Sequence, residues 1–265
     1  MKPDVRKVLM EQAAPYAGKR VAVLLSAGID SASVLFSLIE AGAEPHAYSF
    51  TLDGRLSSDF SAAKRNAATF GVPFTGIFLP VDVETLKRDM LDLLGLGARK
   101  KTDFECGWPM LYAYKAVEEV AVFSGMGADG HFCLSKKGMI HFRHRIDEFR
   151  QGLYRSATYA QQHIHRRLGK RHGKVPVMPY ITPEMQAEFI GTTWNEVNRP
   201  KQKVPILRAF PERLARMRVE PHTNLQLGDS GIAEHFRLLL KTDWNVSGSV
   251  SVVGIYNALV AGKIK

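Results

Sequence analysis

Two short apolar runs constrain this chain most. Val21–Leu25 (VAVLL) and Val120–Ser124 (VAVFS) have the length and continuity of strands buried on both faces, which belong to parallel sheets covered by helices. Each runs directly into a turn of small residues carrying an aspartate. The first turn is Ser26-Ala27-Gly28-Ile29-Asp30-Ser31 and the second is Gly125-Met126-Gly127-Ala128-Asp129-Gly130. Helical periodicity covers 3–17 up to Gly18, 31–41 up to Gly42, 59–70 up to Gly71, 83–94 and 109–119. Strand candidates at 46–51 and 74–79 alternate with these helices, and Leu52-Asp53-Gly54-Arg55 reads as a turn. The alternation predicts an α/β protein: an open parallel sheet with right-handed crossovers and helices on both faces, followed by a mostly helical C-terminal part. The expected organisation is one unit over 1–265, with an α/β core at about 18–135 and a helical, basic part at about 136–265. The tail, 245–265, reads as a small-residue helix or as partly disordered. No internal repeat or low-complexity linker interrupts the chain.

Composition narrows the class. With 45% hydrophobic and 23% charged residues, the chain can build a core and remain soluble. No apolar run approaches the ~20 residues that span a bilayer, and the charged N-terminus has no signal-peptide core. A cytoplasmic location without a membrane partner is therefore expected. Cys106 and Cys133 are too few for a zinc ribbon or a CxxC pair. The net charge of +10 points to polyanionic partners. Much of it lies in His141–Lys174, where only Asp147 and Glu148 oppose the cations. That stretch reads either as a solvated helical face with a basic loop or as a nucleic-acid surface, with Phe142, Phe149, Tyr154 and Tyr159 interleaved. Its histidines lack the i, i+4 spacing of a metal pair. Trp108, Trp194 and Trp244 read as core or pocket-wall residues.

Ligands of open α/β sheets bind beyond the carboxyl ends of the strands, where both turns fall. Ser26-Ala27-Gly28 offers closely spaced backbone amides and opens a helix, whose first turn favours an anion. Ser26 and Ser31 add hydroxyls suited to phosphate oxygens. Asp30 suits a magnesium ion shared with phosphates, and Asp129 could supply a second carboxylate to that ion. One such loop could equally be a tight turn capped by Ser and Asp. Two of them, each after a buried strand, favour a polyphosphate site. Neither loop is a Walker A or a GxGxxG motif.

SAGIDS resembles the SGGxDS pyrophosphate loop of the N-type ATP pyrophosphatases. GMGADGHF resembles the GEGADELF segment in the synthetase domain of asparagine synthetases and their relatives, the β-lactam synthetases and lasso-peptide cyclases. Three further segments follow in the same order. Asp59–Arg65 lies where that family has an acidic helix start, Met178–Thr182 is similar to its VPFLD, and Lys201–Phe210 is similar to its K-x-x-LR-x-A. The resemblance covers about 18–220. It implies an adenine nucleotide α-hydrolase-like fold and a reaction in two halves. ATP with Mg2+ adenylates a carboxylate and releases pyrophosphate; ammonia or an amine then takes the acyl group, leaving AMP. By the same resemblance Asp30 and Asp129 hold the metal. Ser26, Ala27, Gly28, Ser31, Gly125 and Gly127 face the pyrophosphate, and the adenine lies along Ser49–Leu52, near Phe50 and Thr51. Lys203 is the candidate catalytic lysine, with Arg208 as a structural or phosphate contact.

The departures from that pattern are specific. Ala27 replaces a glycine, Met126 and Gly130 replace two glutamates, and Thr182 replaces an aspartate. Lys203 precedes Arg208 by five residues where the family has four, and Val204 holds the matching position. With no Cys at position 2 and no glutaminase domain expected, nitrogen would come from ammonia, a separate glutaminase, or an amine on the second substrate. The acceptor half of the reaction therefore reads as rebuilt, with carboxylate and amine on small molecules or on a macromolecule. Two rival readings stand beside the ligase: a tRNA- or DNA-modifying enzyme using the same ATP chemistry, and a nucleotide-binding protein that has lost catalysis.

Overall fold

The computed structural model describes residues 2–218, 229–246 and 248–264. Strands β1 (Arg20–Leu24), β2 (Glu44–Leu52), β3 (Phe74–Leu79), β4 (Ala121–Ser124) and β5 (Val175–Val177) form one parallel sheet in the order β3-β2-β1-β4-β5. The uninterrupted apolar character of β1 has a direct cause. Val21 and Val23 enter one core, while Ala22, between them, enters the other. Helices α1 (Val5–Ala13), α2 (Ile29–Glu40) and α3 (Ser58–Thr69) pack on the first side; α4 (Val83–Gly95) and α5 (Lys101–Ala116) pack on the second. Each fully buried Val or Leu in these layers contributes ~1.5–3 kcal/mol.

The chain runs β1, β2, β3 in one direction, then returns to place β4 on the other flank of β1. The sheet changes winding direction there. Leu24 pairs in register with Ser124, so the turns that follow β1 and β4 emerge side by side.

The remaining helices are α6 (Lys136–His141), α7 (Ile146–Tyr154), α8 (Gln162–His172), α9 (Pro183–Phe189), α10 (Trp194–Asn198), α11 (Val204–Ala209), α12 (Pro211–Ala215), α13 (Ile232–Arg237) and α14 (Val252–Val260). The tail is thus helical over α14, with Tyr256 stacked on Phe104 at 5.1 Å between ring centroids. Among the described residues no helix is long and apolar enough to cross a membrane.

Three readings of the sequence are corrected. The region beyond 140 is not only helical, because β5 extends the sheet; its Pro176 lacks an N–H, which an edge strand tolerates. The helix expected from Pro109 begins at Lys101 and carries Pro109 inside it. Its loss of one backbone bond is offset by burial of Phe104, Trp108 and Met110 around the proline. Finally, α2 begins at Ile29, so Asp30 lies in its first turn rather than in the loop before it.

Candidate active site

The first turn is laced to itself. The Ser26 amide donates to Ser31 Oγ (3.0 Å), the Gly28 amide to Ser26 Oγ (3.1 Å), and the Ala27 amide to Asp59 Oδ1 on α3 (2.9 Å). Ser26 Oγ and Ser31 Oγ are themselves 3.0 Å apart. All three amides thus meet oxygens supplied by the protein itself, two serine hydroxyls and a carboxylate.

The second turn lies against the first. A Cβ on Gly125 would sit 2.6 Å from both the Asp30 carbonyl carbon and the Ser31 nitrogen, so only glycine permits this approach. Gly127 is left-handed at φ +88°, and a short 3-10 turn, Ala128–His131, then carries Asp129. Its placement is fixed from below. His131 is buried, with Nε2 2.6 Å from the Tyr180 carbonyl and Nδ1 2.5 Å from Tyr154 Oη. Fully buried Arg150 donates to the His131 carbonyl from Nε (2.9 Å) and Nη2 (2.8 Å). Burial, aided by the Arg150 charge, lowers the His131 pKa to about 3, so its ring is neutral.

Lys203 completes the arrangement. Its ammonium is 2.6 Å from Asp30 Oδ2 and 2.6 Å from Asp129 Oδ1. The lysine is buried and left-handed at φ +59°, and its amide donates to Asn198 Oδ1 at 3.3 Å. Burial disfavours its charge, but the two carboxylates outweigh that and hold its pKa above the ordinary lysine value.

A cavity of about 430 Å³ opens over the carboxyl ends of β1, β2 and β4. Ser26, Asp30, Ser31, Phe50, Gly125 and Asp129 line it. The structure therefore gathers most of the residues singled out from sequence into one place. Four stand apart: the Thr51 hydroxyl donates to the Arg55 carbonyl, Arg208 is exposed on α11, Ala27 is buried beneath the turn, and Gly28, at the start of α2, lies outside the cavity lining. Gly127 lines an adjoining chamber instead.

Sequence reasoning missed Gln161, which lines both spaces, and Cys106, whose burial pushes its thiol up to about 12, leaving it protonated. Nothing in a lone glutamine or in Ala160 and Gln161, both left-handed non-glycine residues, signals such a role. The basic stretch is also partly consumed by the fold. Arg150 is a buried hub, Arg171 pairs with Asp92, Tyr154 bonds His131, and Tyr159 donates to the Gly127 carbonyl.

Two carboxylate oxygens that both approach one ammonium converge on a single cationic point, and hard oxygen donors of this kind suit Mg2+. Among the described residues no cluster of three or more His, Cys, Asp or Glu side chains could cage a metal. A cation here would draw its remaining oxygens from phosphate and water.

The order of the sheet sets two Asp-bearing turns side by side at its switch point, the place where open α/β sheets as a class bind ligands. The family model described as asparagine synthase matches residues 6–236, and the chain belongs to that family. No curated protein matches the chain in sequence. Among solved structures, a predicted subunit of tRNA methyltransferase from Methanocaldococcus jannaschii aligns over 76% of this chain and 93% of its own, at 14% identity and a TM-score of 0.37.

Proposed function

We propose that the protein is an ATP-dependent carbon–nitrogen ligase that forms AMP and pyrophosphate. The observation that carries this reading is Lys203 held between Asp30 and Asp129, at the edge of the cavity over β1, β2 and β4. ATP would lie in that cavity with its adenine beside Ser49 and Phe50 and its phosphates on the first turn. Phosphate oxygens would take over the amide bonds now made to Ser31 Oγ and Ser26 Oγ. Asp30 and Asp129 would hold Mg2+, which would neutralise charge on the departing pyrophosphate. A carboxylate oxygen attacks the α-phosphorus, and the bond to the β-phosphate bridge breaks with its electron pair on pyrophosphate. The amine then attacks the acyl carbon of the adenylate, AMP leaves, and the amine proton passes to solvent. Lys203, charged at neutral pH, would stabilise the extra negative charge in both transition states. Nitrogen would come from ammonia, a separate glutaminase or a larger amine.

A second reading places the acceptor on nucleic acid. Arg166, Arg167 and Lys170 are exposed on α8, and Gln161, just before that helix, lines the cavity. Product analysis with ATP, Mg2+ and a panel of carboxylates, amines, tRNA and DNA tests both readings. AMP and pyrophosphate that depend on one panel member and on Asp30 support the ligase. ADP and phosphate overturn it.

A further inference from the structure

Lys203 is held at both ends against the same turn. At its head, the ammonium meets Asp129 Oδ1 at 2.6 Å and stands 6.0 Å from the centre of the Phe132 ring. At its root, the Lys203 amide donates to Asn198 Oδ1 (3.3 Å), and Asn198 Nδ2 donates to the Phe132 carbonyl (3.0 Å). The Phe132 amide in turn donates to the Asp129 carbonyl at 3.1 Å. These bonds close a ring through Asp129, Phe132, Asn198 and Lys203. Resting on the ligase reading, we propose that Asn198 is a positioning residue for the reaction, which sets where the Lys203 ammonium stands between Asp30 and Asp129.

The side chain fits that task. Asn198 is 2% exposed and ends α10, whose start is fixed by the Thr193–Glu196 capping box and whose Trp194 and Val197 are buried. A carbonyl only accepts and an amide N–H only donates. The residue between Phe132 and Lys203 must therefore offer a donor and an acceptor side by side. Aspartate lacks the donor, leucine lacks both, and glutamine is a methylene too long for a buried site.

Lys203 needs the support. Its left-handed backbone, at φ +59°, costs free energy in any residue with a Cβ. It also occupies the N-cap of α11, where a short polar side chain ordinarily bonds back to the helix, but its own side chain is spent on the aspartates. The Lys203 carbonyl receives the Ile206 and Leu207 amides, and Asn198 takes the Lys203 N–H. Between that root and the ammonium lies a flexible four-carbon stem. A root that turned or shifted would swing the charge away from the point the two carboxylates share.

Two measurements test this. The first reads the ammonium directly, in proton–nitrogen correlation spectra of the full chain, with the Lys203 signal identified by its loss in Lys203→Met. Asn198→Leu should shift that signal or broaden it away, and an unmoved signal overturns the proposal. The second is a double-mutant cycle on AMP formation. Asn198→Leu alone should lower kcat about tenfold or more while changing KM for ATP about twofold or less. Introduced into Lys203→Met, it should change the residual kcat by less than about twofold, because a residue that acts through the lysine has nothing left to place. Losses of equal size in both backgrounds, or an unchanged kcat in the first, overturn the proposal. Should Asn198→Leu not fold, Asn198→Ser, too short to span both partners, takes its place with the same expected outcomes. A wild type that forms no AMP ends the ligase reading, and the ammonium spectrum then decides by itself whether Asn198 places Lys203.

Discussion

Tyr180 Oη lies 2.6 Å from Ser33 Oγ, with both residues fully buried. Ser33 Oγ donates to the Asp30 carbonyl at 2.7 Å, so the tyrosine is the donor in its own bond. The Tyr180 carbonyl meets His131, two residues beyond Asp129. One residue of the MPYIT segment therefore touches the supports of both aspartates, by its hydroxyl on one side and its backbone carbonyl on the other. Tyr180→Phe keeps the ring and removes only the hydroxyl. A loss of about 1 kcal/mol in urea unfolding is expected, with kcat falling more than ATP affinity. A variant with unchanged kcat would show that the link is structural only.

Lys203→Met leaves Asp30 and Asp129 facing each other without their shared cation. AMP formation should fall by about 10² or more. Because Asp129 is more than half exposed, the stability loss should stay near ~1–3 kcal/mol, below that of a fully buried pair. Thermal melts with and without millimolar Mg2+ provide the check. The metal-dependent gain should be larger in the variant than in the wild type, and equal gains would separate Lys203 from the cation site.

Gly125→Ala would drive a methyl group into the backbone of Asp30 and Ser31 at 2.6 Å. The two turns must part to accept it, at a cost of about 1–3 kcal/mol. The expected signature is weakened ATP binding in calorimetry together with a lowered unfolding midpoint. Gly152→Ala, where a Cβ meets nothing within 4 Å, is the matched control.

Acid should destabilise the protein through its buried histidines. Burial depresses His131 and His165 to about 3, so the unfolded chain takes up protons near 6.5 that the folded one refuses. Their contribution is complete above pH 6.5 and is lost as pH falls from there toward 3. The slope is about 1.4 kcal/mol per pH unit for each histidine. Urea midpoints measured between pH 7 and 5 should drop accordingly, and His165→Gln should make the dependence shallower.

The sheet centre and its two turns were legible because their signals are local. A strand buried on both faces must be continuously apolar, and a backbone crossing like that of Gly125 over Asp30 admits no side chain. What escaped reading is set by tertiary packing. The edge strand β5 is three residues with a proline, too short for any periodicity. Pro109 marks a helix start in isolation, yet the surrounding core carries it mid-helix. Tyr154 and Tyr159 look available for base stacking until their hydroxyls are seen bonding His131 and Gly127. The extra residue between Lys203 and Arg208 became interpretable only through the left-handed backbone of Lys203, which starts α11 while its ammonium points to the aspartates.

Asp30, Asp129 and Lys203 are contributed by three separate stretches, the first and the last 173 positions apart in the chain. During synthesis all five strands have emerged before the lysine leaves the ribosome. Only with its arrival can the chain supply the ammonium that pairs with both carboxylates. The order of synthesis thus makes the centre the last part of the sheet's carboxyl end to be completed: its two acids come from the first and fourth strands' turns, and its cation from the helical segment made after every strand.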